Sequence, residues 1–273
     1  MIDKKEVGQV GRSDGKLVRD IPAFERMIPQ IMPRRCDSTN FAKVEFDLAK
    51  VRAFLRELRV AGHQVGMMDF VIAAYVRLLQ RIPELNRFVV NRKLYQRNHI
   101  CVAFSMLRRG EGTAVDETAV KVYLEQEDDL LQIAQKIRAV IKENEQPASR
   151  NAVDALVDRL MNLPLLPGFS VSVLRWMDRR GILPKSVIKL SPFHTSMYIS
   201  NLASIQMDYV YHHLYEFGTA GMFVTMGKPK NNVMTLGISF DERICIGATW
   251  AKAFFEFKRS LENPERLLKE LTD

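Results

Sequence analysis

Apolar and polar positions alternate through Phe41-Ala42-Lys43-Val44-Glu45-Phe46-Asp47-Leu48, which predicts a strand with one face in a core. The period then changes. From Leu48 to Val60 the apolar residues Leu48, Val51, Phe54, Leu55 and Leu58 recur at helical spacing and stop before Gly62. A second amphipathic helix is predicted over Asp69–Arg81, and Ile82-Pro83-Glu84-Leu85-Asn86 breaks it. Two extended runs follow, Phe88–Tyr95 and Ile100–Leu107. A glycine-bearing charged loop over Arg108–Asp116 leads to a strand over Thr118–Leu124. Asp128 and Asp129 favour a helix N-terminus, and Leu130–Glu143 carries an apolar stripe. Upstream, Pro22, Pro29 and Pro33 argue against one long regular helix. Residues 1–17 are polar and read as a loose arm; a single domain is expected from 18 to 273.

Residues 145–194 read as an insertion into that domain. A helix is expected from about Asn151 to Asn162, followed by Leu163-Pro164-Leu165-Leu166-Pro167-Gly168-Phe169, then Val171–Arg180 and Leu183–Leu190. The segment is apolar and locally basic, with Arg175, Arg179, Arg180, Lys185 and Lys189 against Asp178. The favoured reading packs Phe169, Leu174 and Trp176 on the core as a lid or a trimer contact. The other is weak contact of residues 163–190 with an anionic membrane surface. Beyond it come strands over Thr195–Leu202, Gly221–Lys228 and Asn232–Phe240. Between the first two lies an irregular aromatic stretch, Ser204–Thr219, holding Tyr209, Tyr211, His212, His213, Tyr215 and Phe217. The last strand runs into the polar turn Ser239-Phe240-Asp241-Glu242-Arg243-Ile244-Cys245-Ile246-Gly247. A helix over Ala248–Ser260 and a final one over Pro264–Leu271 close the chain. A strand–turn–helix corner can present chemistry on a rigid frame, or be only a polar surface turn.

Composition narrows the partners. The 273 residues carry a formal net charge of +8. Lys and Arg are spread over many elements, with no zinc-finger spacing or RNA-binding signature, so nucleic acid is not expected. A ligand with several phosphates suits the charge equally well. No run of about 18 apolar residues spans a membrane, and the N-terminal stretch lacks the apolar core of a signal peptide. Cys36, Cys101 and Cys245 read as reduced thiols in a cytoplasmic protein. His63, His99, His194, His212 and His213 show no metal-ligand spacing, so no metal is expected.

The corner resembles the active-site turn of the dihydrolipoamide acyltransferases of 2-oxo acid dehydrogenase complexes, and of the related chloramphenicol acetyltransferases. There it reads His-Arg-x-x-Asp-Gly or His-His-x-x-x-Asp-Gly; here it is Glu242-Arg243-Ile244-Cys245-Ile246-Gly247. Asp20–Arg26, Pro83-Glu84-Leu85-Asn86, Tyr198-Ile199-Ser200, Gly221–Lys228 and Glu262–Leu268 are similar to further family motifs, in order, over about residues 18–145 and 195–273. The resemblance implies a chloramphenicol acetyltransferase-like two-layer α/β sandwich, a large mixed sheet with packed helices. It also implies a homotrimer, with coenzyme A or acyl-CoA as substrate and acyl transfer to a thiol or hydroxyl between subunits. The residues that would bind the cofactor are not identified. The lipoyl domain of full-length dehydrogenase acyltransferases has no counterpart here, so a swinging lipoyl arm is not expected in cis.

The family's general base is the corner histidine, and Glu242 stands in its place. A free glutamate has a pKa near ~4.3 against ~6.5 for histidine, a deficit of about 3 kcal/mol in proton-transfer driving force. Burial would recover part of it. Ile246 replaces the corner aspartate, so Arg26, matched to the arginine that pairs with it, has no partner there. Gly247 is retained. Ser200 matches the family's oxyanion-stabilising serine, or is a strand hydroxyl bonded to backbone. His212 or His213 is an alternative base, or packing. Cys245 has no activating histidine beside it in sequence and reads as packing. Two functions remain open: acyl transfer with a changed base, and a catalytically silent trimeric binding or scaffold protein.

Overall fold

The computed structural model describes residues 12–109, 115–144, 162 and 167–268. In chain order the elements start with β1 (Gly15–Leu17), α1 (Ala23–Ile31), α2 (Arg35–Ser38), β2 (Thr39–Asp47), α3 (Leu48–Val60) and α4 (Met67–Arg81). Next come β3 (Arg87–Val90), β4 (Lys93–Arg97), β5 (Ile100–Arg109), β6 (Val115–Leu124), α5 (Leu130–Asn144), α6 (Pro167–Arg180) and α7 (Lys185–Leu190). The chain closes with β7 (Met197–Asn201), β8 (Met222–Met226), β9 (Val233–Asp241) and α8 (Gly247–Glu262).

Six strands form one mixed sheet in the order β2-β9-β8-β7-β5-β6, and β1-β4-β3 form a small second sheet. β7 runs parallel to both β5 and β8, while the other pairs in the large sheet are antiparallel. The alternation that predicted β2 is visible in its burial. Val44 and Phe46 face the core; Lys43 and Glu45 face out. The same face of the sheet supplies Val102, Ile199, Val224, Leu236 and Ile238 to one continuous apolar cluster with α3, α4, α5 and α8. α4 packs between α5 and α8 and is buried along most of its length, including Phe70, Ile72 and Tyr75. This is the expected α/β two-layer sandwich.

The opposite face is covered by the irregular stretch that follows β7. Its backbone passes so close that glycine is required beneath it. A Cβ on Gly237 would lie 2.5 Å from the Val210 oxygen, and one on Gly227 would lie 2.5 Å from the Tyr209 nitrogen. The Thr225 hydroxyl donates to the Val210 carbonyl at 2.5 Å and accepts from its N–H at 3.2 Å. A smaller apolar cluster of Ala103, Tyr198, Leu214 and Phe223 sits under the same strap.

Four local readings change. In the loose arm expected over residues 1–17, the described residues from Arg12 onward are ordered, because Gly15–Leu17 pair with β4 and Arg12 and Asp14 are buried as an ion pair. Phe88–Tyr95 is a hairpin, because Asn91 (φ 48°) and Arg92 (φ 59°) turn the chain with positive φ angles. Pro264–Leu267 is a single 3-10 turn. Phe169 and Trp176 do not pack on the core: they are 61% and 51% exposed. What α6 buries is Asp178, and the reason is charge. Arg12 donates from Nε to Asp14 Oδ1 (2.8 Å) and from Nη2 to Asp178 Oδ1 (2.7 Å), and His194 Nε2 lies 3.3 Å from that same oxygen. The helix is thereby fixed by its polar side. The expected helix over Asn151–Asn162 lies outside the described residues apart from Asn162.

Gly237→Ala should lower unfolding stability by about 1–3 kcal/mol, as over-packing does, and free the strap it underlies. Urea unfolding with tyrosine fluorescence would read both effects; an unchanged midpoint would contradict the close approach.

Candidate active site

β9 ends in Asp241, which is 1% exposed and so needs a cation. Arg243 supplies it through a fork. Nε donates to Asp241 Oδ1 (2.8 Å) and Nη2 to Oδ2 (2.7 Å), while Nη1 reaches the Met32 carbonyl (3.1 Å). The N–H of Arg243 also donates to Asp241 Oδ1 at 3.1 Å, closing the turn on itself. Burial alone would raise the Asp241 carboxyl. The Arg243 bonds and charge, with the more distant charge of Arg35, outweigh it together and hold its pKa below the ordinary value.

Arg35 is 4% exposed and meets only carbonyls, those of Ala220 (2.6 Å) and Gly218 (3.1 Å). Burial is the largest effect on it and lowers its pKa; the nearby Arg243 charge adds to this and Asp241 opposes it. These contacts hold the segment before β2 against the corner, and the Glu242 N–H donates to the Ser38 carbonyl (3.0 Å).

The turn thus aims Glu242 along the start of β2. Its side chain is half-buried, and its Oε2 accepts from Asn40 Nδ2 (3.2 Å). Among the described residues it makes no ion pair. It lines a cleft of about 520 Å³ between α1, β2 and α8, whose other walls include Phe24, Ile28, Phe41, Trp250 and Phe254. Ile246 sits at the rim, 39% exposed, and Gly247 opens α8 with free space where a Cβ would stand. The cleft is mostly apolar, with one carboxylate and one carboxamide. It suits an extended, largely apolar ligand with a reacting group beside a proton acceptor.

The other sequence candidates lie elsewhere. Ser200 pairs with Thr225, which pairs with Gly237, five residues before Glu242. Two strand spacings and that rise separate Ser200 from Glu242 by about 20 Å within one chain. His212 stacks on Phe223 at 4.0 Å and on His213 at 4.5 Å, under the strap on the outer face. Partial burial, with the neighbouring His213, lowers its pKa and favours neutral imidazole. Ser200, His212 and His213 therefore belong to one face, and Glu242, Ile246 and Gly247 to one end of it. Arg26 is exposed on α1, beside a groove with Leu17, Val18 and Leu94, and does not reach the corner. Cys245 is buried, and burial pushes its thiol up to about 12.

Sequence reasoning missed Asp241, Arg35, Ser38 and Asn40. An acid two residues before an arginine at a strand end is a usable signal for the first. Arg35, Ser38 and Asn40 act from 200 residues away and carried none. Among the described residues no three His, Cys, Asp or Glu side chains could hold a metal ion, and no helix is long and apolar enough to cross a membrane.

No family model matches the sequence, and no curated protein matches it. Solved structures do. Chloramphenicol acetyltransferase superposes with a TM-score of 0.57 at 10% identity, covering 91% of this chain and 100% of its own. The dihydrolipoamide acetyltransferase of Azotobacter vinelandii, in whose catalytic mechanism a serine, a histidine and an asparagine four residues after the histidine were investigated, gives 0.52 at 12%, covering 92% and 93%. The cubic core of a pyruvate dehydrogenase multienzyme complex gives 0.51 at 13%, again covering 92% and 93%. At such identities the likeness establishes the fold. It is that of the chloramphenicol acetyltransferases and the dihydrolipoamide acyltransferase cores, as the corner motif implied.

Arg243→Ala leaves Asp241 buried and unpaired, and should cost about 3–5 kcal/mol in urea unfolding. The depressed pKa of Asp241 adds stability above its unfolded pKa of about 3.9, lost as pH falls through the lower folded value. Asp241→Asn should therefore flatten part of the acid limb below about pH 4; an unaltered limb would remove Asp241 from the acid response.

Proposed function

We propose that this chain transfers an acyl group between coenzyme A and a thiol or hydroxyl acceptor, with Glu242 as the proton acceptor. The observation that carries the reading is the placement of Glu242. Its carboxylate lines an apolar cleft at the corner of a fold shared with two acetyltransferases. The Asn40 amide orients the carboxylate, and the apolar walls would weaken its solvation when a substrate fills the cleft. Proton removal from the acceptor by Glu242 would let its sulfur or oxygen attack the thioester carbon. The tetrahedral oxyanion then needs a donor, and its collapse would break the carbon–sulfur bond and expel coenzyme A, whose thiolate would take back the proton held by Glu242.

Ser200 is the candidate donor; at about 20 Å from Glu242 within one chain, it would have to come from a second copy to act with it. We accordingly read the working unit as a homotrimer in the cytoplasm. We read residues 18–273 as one acyltransferase-like domain with 145–194 as its insertion, and residues 12–17 as joined to it through β1 and the Arg12–Asp178 pair. The likeness to a multienzyme cubic core supports self-assembly. His212, stacked on Phe223, and His213, edge-on to Tyr215, lie on the strap and not in the Glu242 cleft, so neither is the first choice as base.

A second reading, a silent binding or scaffold protein, is favoured by Ile246, which puts an aliphatic side chain at the rim where the family motif has an aspartate.

Free thiol released from a panel of acyl-CoA thioesters, with dihydrolipoamide as one acceptor, tests the two. Acyl transfer predicts turnover that falls about 10²-fold or more in Glu242→Gln, and by a similar factor in Ser200→Ala. No turnover in the parent, with turnover created by Glu242→His plus Ile246→Asp, would establish the silent reading instead.

A further inference from the structure

Pro33, Arg35 and the corner's Arg243 line a second and smaller cavity of about 70 Å³, which shares no lining residue with the Glu242 cleft. Its walls come from five separate parts of the chain: the Pro33–Arg35 segment, β3 and its turn, α6, residues 216–218, and Arg243 of the corner. Five guanidinium side chains line it, from Arg35, Arg92, Arg175, Arg179 and Arg243. We propose that this cavity binds the phosphate group of a small ligand.

The charge balance leads there. Asp178 and Glu216 also line the cavity and offset part of the charge, Glu216 acting on Arg35, but two carboxylates do not balance five guanidinium groups. Asp178 holds Arg12 and His194, and Glu216 Oε1 accepts from the Cys36 N–H at 2.9 Å. Arg243 is matched by Asp241. Arg35, Arg92, Arg175 and Arg179 have no carboxylate bonded to them among the described residues. Like charges are normally kept apart unless something between them is negative.

The site is also built rather than accidental. Arg35 and Arg243 are each 4% exposed. Arg35 is locked by the carbonyls of Gly218 and Ala220, and Gly218 is pinned at φ +98° against Phe193. The positive-φ turn at Asn91 and Arg92 brings the latter to the cavity. Arg175 and Arg179 are four apart on α6 and share one face, and the Arg12–Asp178 pair sets that helix in place. Donors that converge from several directions suit a tetrahedral dianion, whereas a planar carboxylate is satisfied by a single arginine fork. The cavity has room for one phosphate and little more, so the remainder of the ligand would extend outward past α6.

Isothermal titration of inorganic phosphate into the full chain, in a low-salt amine buffer, tests the inference. One saturable site is expected, with acetate at least tenfold weaker. Arg175→Ala with Arg179→Ala, both on exposed side chains, should weaken phosphate by at least about tenfold, since each removes a charge-assisted bond. Arg180→Ala is the matched control; Arg180 lies over the Trp176 ring outside the cavity, and its loss should change affinity less than twofold. Absence of saturation, acetate binding as tightly as phosphate, or equal effects of the double variant and the control would each overturn the proposal. Arg92→Gln gives the same readout from a different element should the double variant fail to fold. Competition separates two sources of the phosphate. Displacement by coenzyme A but not by its 3′-dephospho form assigns the site to that carrier, and no displacement by either assigns it to a free phosphomonoester.

Discussion

A carboxylate cannot be buried alone, and Asp241 shows how far that constraint reaches. Its side chain closes the last strand of the large sheet and must be met by Arg243 two residues later. The encounter bends the chain sharply between β9 and α8. The Arg243 fork also takes the Met32 carbonyl, so the same bend ties down the segment leading into β2. Arg35 draws the Gly218 and Ala220 carbonyls onto that segment from the other side. Three stretches far apart in sequence are thus held by charged groups that are almost wholly shielded from water. Glu242 lies between the paired residues and is presented by them.

The division of the sheet into two faces explains why the polar candidates fall into two groups. Alternation sends Val102, Ile199, Val224 and Leu236 into the helical layer. It sends Tyr198, Ser200, Phe223 and Thr225 to the side crossed by the strap. That side is polar and aromatic, and several of its large apolar residues, Phe41, Tyr211, Ile205 and Met207, remain exposed in a single chain. A single chain therefore leaves an apolar and aromatic surface exposed on that side of the sheet.

Much of this architecture was legible in the sequence because it is local. The period-two run into β2 and the helical spacing through α3 and α4 each report burial on one side of one element, which needs no knowledge of partners. The corner was legible as a motif. What could not be read were positions decided by distant charges. Phe169 and Trp176 look like core residues by type, yet α6 is oriented by Asp178, whose partners Arg12 and His194 lie outside that helix. The Asn91-Arg92 turn was hidden because neither residue is glycine, and only the polar break Asn91-Arg92-Lys93 between apolar runs marks it. Asn40 and Ser38 bear on Glu242 only once β2 and β9 have paired in register.

The clamp on α6 also has a history in time. Arg12 and Asp178 are separated by 166 positions along the chain. At a translation rate of about 5–20 residues per second, the arginine emerges roughly 8 to 33 seconds before its acid exists. During that interval β1 can already pair with β4, but the Arg12 guanidinium has only Asp14 of its two carboxylates. The Arg12 side chain thus gains its second carboxylate only when α6 has been made, so this clamp joins an early segment of the fold to a late one.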